Sequence, residues 1–400
     1  MLPTRCSAFL LATLVLPQLA AQESRPSSLR IVALEGTPYA RGLAHGKALR
    51  QEIAAMLVPF RADLAQATGC APELAVSRFL AATAYEPAIS RFTPGLLDEV
   101  RGIADGAGQS YEDLLAYQLP DEIWAQGRLL FAHKCTTIGV DRDGERPAFV
   151  AQNMDLPAWM HAHPTVLRIR HPDRDLESLV VTLPGLIGGN GLNNRRIAVG
   201  VNTVLQIRAT TAGLPVAFVV RGLLEQATHA DALAFLQRVQ HASGQAYTVG
   251  GPDTAPCFEC SAGKVVPYVP FAGARRTWHT NHPLVNDDWS QLFRNAAARK
   301  GQQPAELPLR CDRFDAVARA LGPGQQVGLD EVLAVLRARE HNVCNAQTYV
   351  CTVMLLGAEP ELRIGIGSAP VERFPSLGVA RPAPTAATPP ESRATRPAGR

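Results

Sequence analysis

The chain has 400 residues, a formal net charge of +3, 46% hydrophobic and 19% charged residues. That balance suits one large globular domain or two ordinary ones with a sizeable core. It speaks against a polybasic nucleic-acid binder or a basic membrane patch as partner surface, and no apolar run reaches the ~18 residues of a membrane span.

The start, "MLPTRCSAFLLATLVLPQLAAQES", reads as a signal peptide over residues 1–21. Arg5 lies in a short n-region, Ala8 to Pro17 is apolar, and Ala20 and Ala21 suit a cleavage site. The expected localisation is therefore secreted or periplasmic. "LRIVALEG" is a strand ending in a glycine turn, after which Pro38 opens a long amphipathic helix running to about Ala67. Gly42 and Gly46 share one face of it, a spacing that marks close packing. Helices follow at about Pro72–Tyr85 and Leu96–Ala107, and Ser110 with Asp113 caps "LLAYQLPDEIWAQ". Residues 22–134 thus form a mainly helical segment.

The pattern changes at Cys135. "TTIGVDRDGERPAFVAQNMD" reads as strand, turn, strand, and "TVLRIR", "SLVVTLP", "RIAVGVNTV", "AYTVGG" and "KVVPYVP" follow as strands. Helices are expected near Pro215–Gln226, Ala230–Gln240, Asp312–Leu321 and Leu329–Arg339, with final strands in "TYVCTVMLLG" and "ELRIGIG". Strands grouped apart from helices point to a layered α+β domain over residues 135–380. Residues 381–400, rich in Pro, Ala and Thr, read as a disordered tail.

Removing Cys6 with the leader leaves Cys70, Cys135, Cys257, Cys260, Cys311, Cys344 and Cys351, an odd number for an oxidising compartment. "CFEC" has no second CxxC to complete a zinc set, and its strand-like pattern puts the two thiols on opposite faces. No nucleophile elbow, phosphate loop or H-E-x-x-H occurs, so no cofactor and no metal are expected. His161, His163 and His171 are the candidates for a metal-dependent alternative. Five polar stretches at strand ends remain: "KCTT", "QNMD", "GGNGLNN", "HTNHP" and "LRCDRF".

In this order, within "CTTIGVDRDGERPAFVAQNMD", "GLIGGNGLNNRRIAVGVNT", "HTNHP", "LRCDRFDAV" and "HNVCNAQTYVCTVML", the chain resembles the C45-type penicillin acyltransferase family of N-terminal nucleophile (Ntn) hydrolases. The likeness spans about Leu29 to Phe374. It implies an αββα sandwich of two antiparallel sheets flanked by helices. It also implies an amidase or acyltransferase acting on a small N-acylated substrate, matured by cleavage between Lys134 and Cys135 into two associated chains. In this reading Cys135 is the nucleophile, Asp155 orients the new amine, Arg310 supplies a cation, Asn281 stabilises the oxyanion, and Asn193 and Arg313 contact substrate.

The chemistry of the residues agrees. Cutting the bond before Cys135 frees an α-amine of pKa about 8, which can act as base for the adjacent thiol. The thiolate is the reactive form, and a nearby cation favours it. A side-chain amide such as that of Asn281 donates to the oxyanion without adding charge, a contribution on the order of 3 kcal/mol. Lys134 stands where relatives have a small residue, which motivates an alternative: an uncleaved, inactive relative acting as a binding protein. Leu309 replaces a serine common before the arginine, so Arg313 is the alternative for the ionic role.

Overall fold

The computed structural model describes residues 28–127, 135–307, 309, 311–373 and 375–380. The leader, the tail, Lys134 and Arg310 lie outside the described residues.

After strand β1 (Arg30–Leu34), the N-terminal segment forms α1 (Pro38–Ala48), α2 (Arg50–Thr68), α3 (Pro72–Ala81), α4 (Glu86–Phe92), α5 (Leu96–Ala107), α6 (Tyr111–Tyr117) and α7 (Pro120–Gln126). The single helix expected from Pro38 to Ala67 is broken at Leu49, whose backbone leaves helical values. The two halves serve different neighbours. The glycine face of α1 lies on α5, where a Cβ at Gly42 or Gly46 would collide with the carbonyl oxygens of Glu99 and Ile103. The apolar face of α2, Ile53, Met56, Leu57, Phe60 and Leu64, is buried in the main core. One straight helix cannot present both faces. The expected Pro72–Tyr85 helix likewise stops at Ala81.

The rest of the chain builds two sheets. Strands β2 (Thr136–Val140), β3 (Phe149–Asp155), β4 (Thr165–His171), β5 (Leu176–Thr182), β6 (Asn190–Asn193) and β7 (Ala198–Thr203) come before helices α8 (Val216–Leu224) and α9 (His229–Arg238). Next are β8 (Gln245–Gly250), β9 (Cys257–Cys260), β10 (Val265–Tyr268) and β11 (Arg276–His279). Helices α10 (Gln291–Ala298), α11 (Asp312–Leu321) and α12 (Leu329–Arg337) lead to β12 (Thr348–Leu355), β13 (Glu361–Ile366) and β14 (Leu377–Gly378).

One sheet runs β1-β4-β5-β6-β7-β8-β9-β10 and the other β11-β2-β3-β12-β13-β14. They face each other through β2 and β3 against β7 and β8, with α8 and α9 on the outer face of the first and α11 and α12 on that of the second. This is the αββα sandwich implied by the resemblance. One detail differs: β1 joins β4 in parallel, because it comes from the helical segment and closes a sheet edge without a hairpin. The segment is thus stitched into the sheet it covers.

The stitching also uses charge. Glu99 on α5 is fully buried between Arg41 of α1 and Arg221 of α8, with Arg221 Nη1 donating at 2.6 Å and Arg41 Nη2 at 3.0 Å. Burial alone would raise the Glu99 pKa, but the two guanidinium groups outweigh it and hold it at about 2. Glu122 of α7 accepts from the Val216 amide at the start of α8 (3.1 Å) and from Ser243 (2.8 Å). The seven described cysteines are all free thiols, and Cys257 and Cys260 lie buried within β9.

Candidate active site

Cys135 sits immediately before β2, between the sheets, and is 6% exposed. Its register neighbours decide what surrounds it. β2 lies between β11 and β3, so the end of β3 delivers Asp155 and the residues just past β11 deliver Asn281. The Cys135 thiol lies 3.9 Å from the Asp155 carbonyl oxygen. Asp155 is fully buried, and its Oδ2 accepts from Asn345 Nδ2 at 2.8 Å.

Among the described residues, the cation in this cluster is Arg313, on the first turn of α11. Its Nη1 donates to the Cys135 carbonyl at 2.6 Å and to Thr136 Oγ1 at 2.9 Å, while Nη2 donates to Asn281 Oδ1 at 3.0 Å. Arg313, read in sequence as a substrate contact and as the alternative for the ionic role, thus stands beside Cys135; Arg310 lies outside the described residues. Helix geometry supplies the reason: α11 starts at Asp312, and its first turn aims residue 313 into the sandwich.

Arg313 also fixes the Asn281 amide. A guanidinium needs an acceptor, so Oδ1 faces it and Nδ2 points the other way, donating to the Thr203 carbonyl at 3.0 Å. The amide nitrogen carries two hydrogens, and Thr203 lines the cavity beside Cys135. The loop carrying Asn281 is itself held by Glu259 of β9. This buried carboxylate accepts from His279 Nε2 (2.8 Å) and from the amides of Leu284 (2.6 Å), Val285 (3.1 Å) and Asn286 (2.7 Å). Burial opposes its ionisation, but His279 and those amides outweigh it and keep its pKa low.

In this uncut backbone the thiol is poorly acidic. Burial, and then the negative charge of Asp155, push the Cys135 pKa up to about 12, with Arg313 pulling the other way. A base next to the sulfur is what the arrangement needs to become nucleophilic at neutral pH.

A cavity of about 80 Å³ opens beside Cys135. Trp124, Met154, Leu156, Met160, Leu183 and Val216 give it apolar walls, and Asp121, Gln152 and Thr203 add polar ones. Asp121 comes from the helical segment. Sequence reasoning passed over it, since an acid after Pro120 is ordinary at a helix start; only folding aligns it with Cys135.

Asn193 is not part of this cluster. Its Nδ2 donates to the Leu224 carbonyl, and its Oδ1 accepts from the amides of Arg195 and Ile197, closing the turn between β6 and β7. A strand-end asparagine in a glycine-rich stretch serves turn chemistry here. The histidines do not converge either. His161 bonds the Leu156 carbonyl, His163 bonds Ser28, and His171 bonds Arg174.

The model of the family "acyl-coenzyme A:6-aminopenicillanic acid acyl-transferase" matches residues 142–305. That stretch includes Asp155 and Asn281 and stops short of Cys135 and Arg313. The resemblance read from the motifs is borne out over this stretch, which is less than half of the chain. No curated protein matches the chain. Among solved structures, a Caenorhabditis elegans N-acylethanolamine-hydrolyzing acid amidase ortholog is similar at 18% identity and TM-score 0.41, covering 56% of this chain and 93% of its own. Penicillin V acylase from Agrobacterium tumefaciens is similar at 15% identity and TM-score 0.38, covering 59% and 84%. A mutant of conjugated bile acid hydrolase from Clostridium perfringens is similar at 9% identity and TM-score 0.35, covering 61% and 96%.

Proposed function

We propose that the chain is an exported cysteine amidohydrolase of the Ntn type that hydrolyses a small N-acylated substrate through an acyl-enzyme on Cys135. The observation that carries this reading is the convergence of Cys135, Asp155, Asn281 and Arg313 from separate elements at one end of the two facing sheets. The leader over residues 1–21 supports export.

Maturation uses the same sulfur. Sγ attacks the Lys134 carbonyl carbon, the peptide C–N bond breaks, and the nitrogen takes a proton to become the Cys135 amine. Water then hydrolyses the thioester, leaving the Lys134 carboxylate and a free thiol. In turnover that amine accepts the thiol proton and returns a proton to the departing substrate nitrogen. Arg313 holds the Cys135 backbone and the Asn281 amide, and the second Nδ2 hydrogen of Asn281 serves the oxyanion. Asp155 orients the amine. Water or an acceptor amine can resolve the same acyl-enzyme, and hydrolysis is the reaction proposed because water is always present.

The test is mass spectrometry of the purified mature protein. The expected result is two fragments, the larger beginning at Cys135, and a Cys135→Ala variant that stays in one piece. An intact, catalytically silent wild-type chain would overturn the proposal and leave the binding-protein reading. Cleavage persisting in Cys135→Ala would assign the cut to another protease.

A further inference from the structure

The polar groups around the Cys135 cavity are not equally committed. Gln118 donates to the carbonyls of Leu114 and Gly185 and accepts from the Ile187 amide. Gln152 donates to the Val201 carbonyl and accepts from Asn190. Thr203 gives its hydroxyl hydrogen to Asp121 Oδ1 at 2.5 Å, and Gln245 Nε2 donates to the same oxygen at 3.1 Å. The Asp121 backbone amide also bonds its own carboxyl group, and among the described residues both hydrogen bonds from other residues fall on Oδ1. Asp121 keeps part of its surface accessible and lines the cavity that Cys135 lines. The cavity next to the nucleophile is thus mainly apolar, and Asp121 is the polar group on it with an oxygen still to spare.

We infer that Asp121 is a specificity residue: the cavity takes a short acyl group that carries a hydrogen-bond donor, a hydroxyl or an amino N–H, which pairs with Asp121 Oδ2. The inference rests on the amidase reading above and adds the substrate class. The acyl side is chosen because the walls, Trp124, Leu156, Met160 and Leu183 among them, suit hydrocarbon. A plain hydrocarbon acyl group would fill the same walls and shut water away from that carboxyl oxygen without pairing it, which costs binding energy. Burial also raises the Asp121 pKa, as expected of a carboxyl kept from bulk water. Because Asp121 belongs to α7, both chains of a cleaved protein would contribute to one substrate pocket.

Four p-nitroanilides test this on the mature protein: those of butanoic, 2-hydroxybutanoic, 3-hydroxybutanoic and 3-aminobutanoic acid. The expected result is a kcat/KM at least roughly a hundredfold higher for one donor-bearing acyl group than for butanoyl, as sites built around a substrate donor show. Preference for the amino compound alone assigns a cationic donor; preference for a hydroxy compound assigns a neutral one. In Asp121→Asn, with the amide oxygen still facing Thr203 and Gln245, the outer atom becomes a donor, and the preference should fall below about tenfold. In Asp121→Leu it should invert towards butanoyl. These are ratios measured on one folded preparation, so partial unfolding does not alter them. Equal turnover of all four by the wild type, or an unchanged ratio in Asp121→Asn, overturns this inference and leaves the amidase reading standing. No turnover of any of them by protein that begins at Cys135 overturns this inference alone, and an intact, silent chain removes the amidase reading with it.

Discussion

Replacing Arg313 by lysine tests the central geometry without removing charge. The guanidinium satisfies three acceptors at once: the Cys135 carbonyl, Thr136 Oγ1 and Asn281 Oδ1. An ammonium on a flexible stem has no fork and can satisfy about one of them in this space. A hydrogen bond from a charged donor contributes roughly 1.5–3 kcal/mol. Two of the three hold the start of β2, so their loss falls mainly on stability. The third fixes the Asn281 amide, so its loss falls on the transition state and should lower kcat by roughly ten- to a hundredfold, with little change in KM. The assay is steady-state hydrolysis of the best p-nitroanilide, run well below the melting midpoint of each protein and normalised to Cys135 terminus by mass spectrometry. Wild-type kcat in folded, cleaved Arg313→Lys would refute the assignment of Arg313 as the group that orients Asn281.

Other outcomes follow from the same contacts. Glu259→Gln replaces an acceptor pair with a mixed amide, so one or more of the bonds to His279, Leu284, Val285 and Asn286 is lost; kcat should fall, and fall far less when Asn281→Ala is already present, a coupling readable in a double-mutant cycle. Additive losses would show that Glu259 acts on the fold alone. Burial, and then Asp121, raise the Glu122 pKa to about 8. The folded state therefore holds a proton that the unfolded chain releases near pH 4.5, and Glu122 costs stability increasingly as pH rises from about 4.5 to about 8. Glu122→Gln should accordingly melt higher than wild type at about pH 9 and alike near pH 4; equal melting curves at both would contradict the assignment. For Glu99 the sign is opposite. Its depressed pKa means stability present above about pH 4.5 that is lost as pH falls towards 2, and Glu99→Gln should cost about 3–5 kcal/mol by stranding Arg41 and Arg221, measured by urea unfolding at neutral pH.

Period and punctuation made much of the fold legible before any coordinates. The α5 and α11 bounds coincide with those expected from the sequence, because each helix carries one continuous apolar face and starts on an acidic first turn. The residues after Cys135 announced a hairpin through Asp143-Gly144, and β2 and β3 flank it. The break at Leu49 was hidden, since each half of that stretch has its own amphipathic face and a sequence pattern does not report that the faces diverge. The β1–β4 pairing was equally hidden, because a strand carries no mark of its partner at the far end of a sheet.

The site divides in the same way. Cys135, Asp155 and Asn281 lay in three of five polar stretches at strand ends, and it was the family resemblance that singled them out. The contacts of Arg313, the turn duty of Asn193, the clamp of Glu259 and the place of Asp121 beside the cavity were decided by tertiary structure alone. The start of α11 at Asp312 fixes that Arg313 points inward. A carboxylate's role depends on which donors surround it in space, and those donors come from positions scattered along the whole chain.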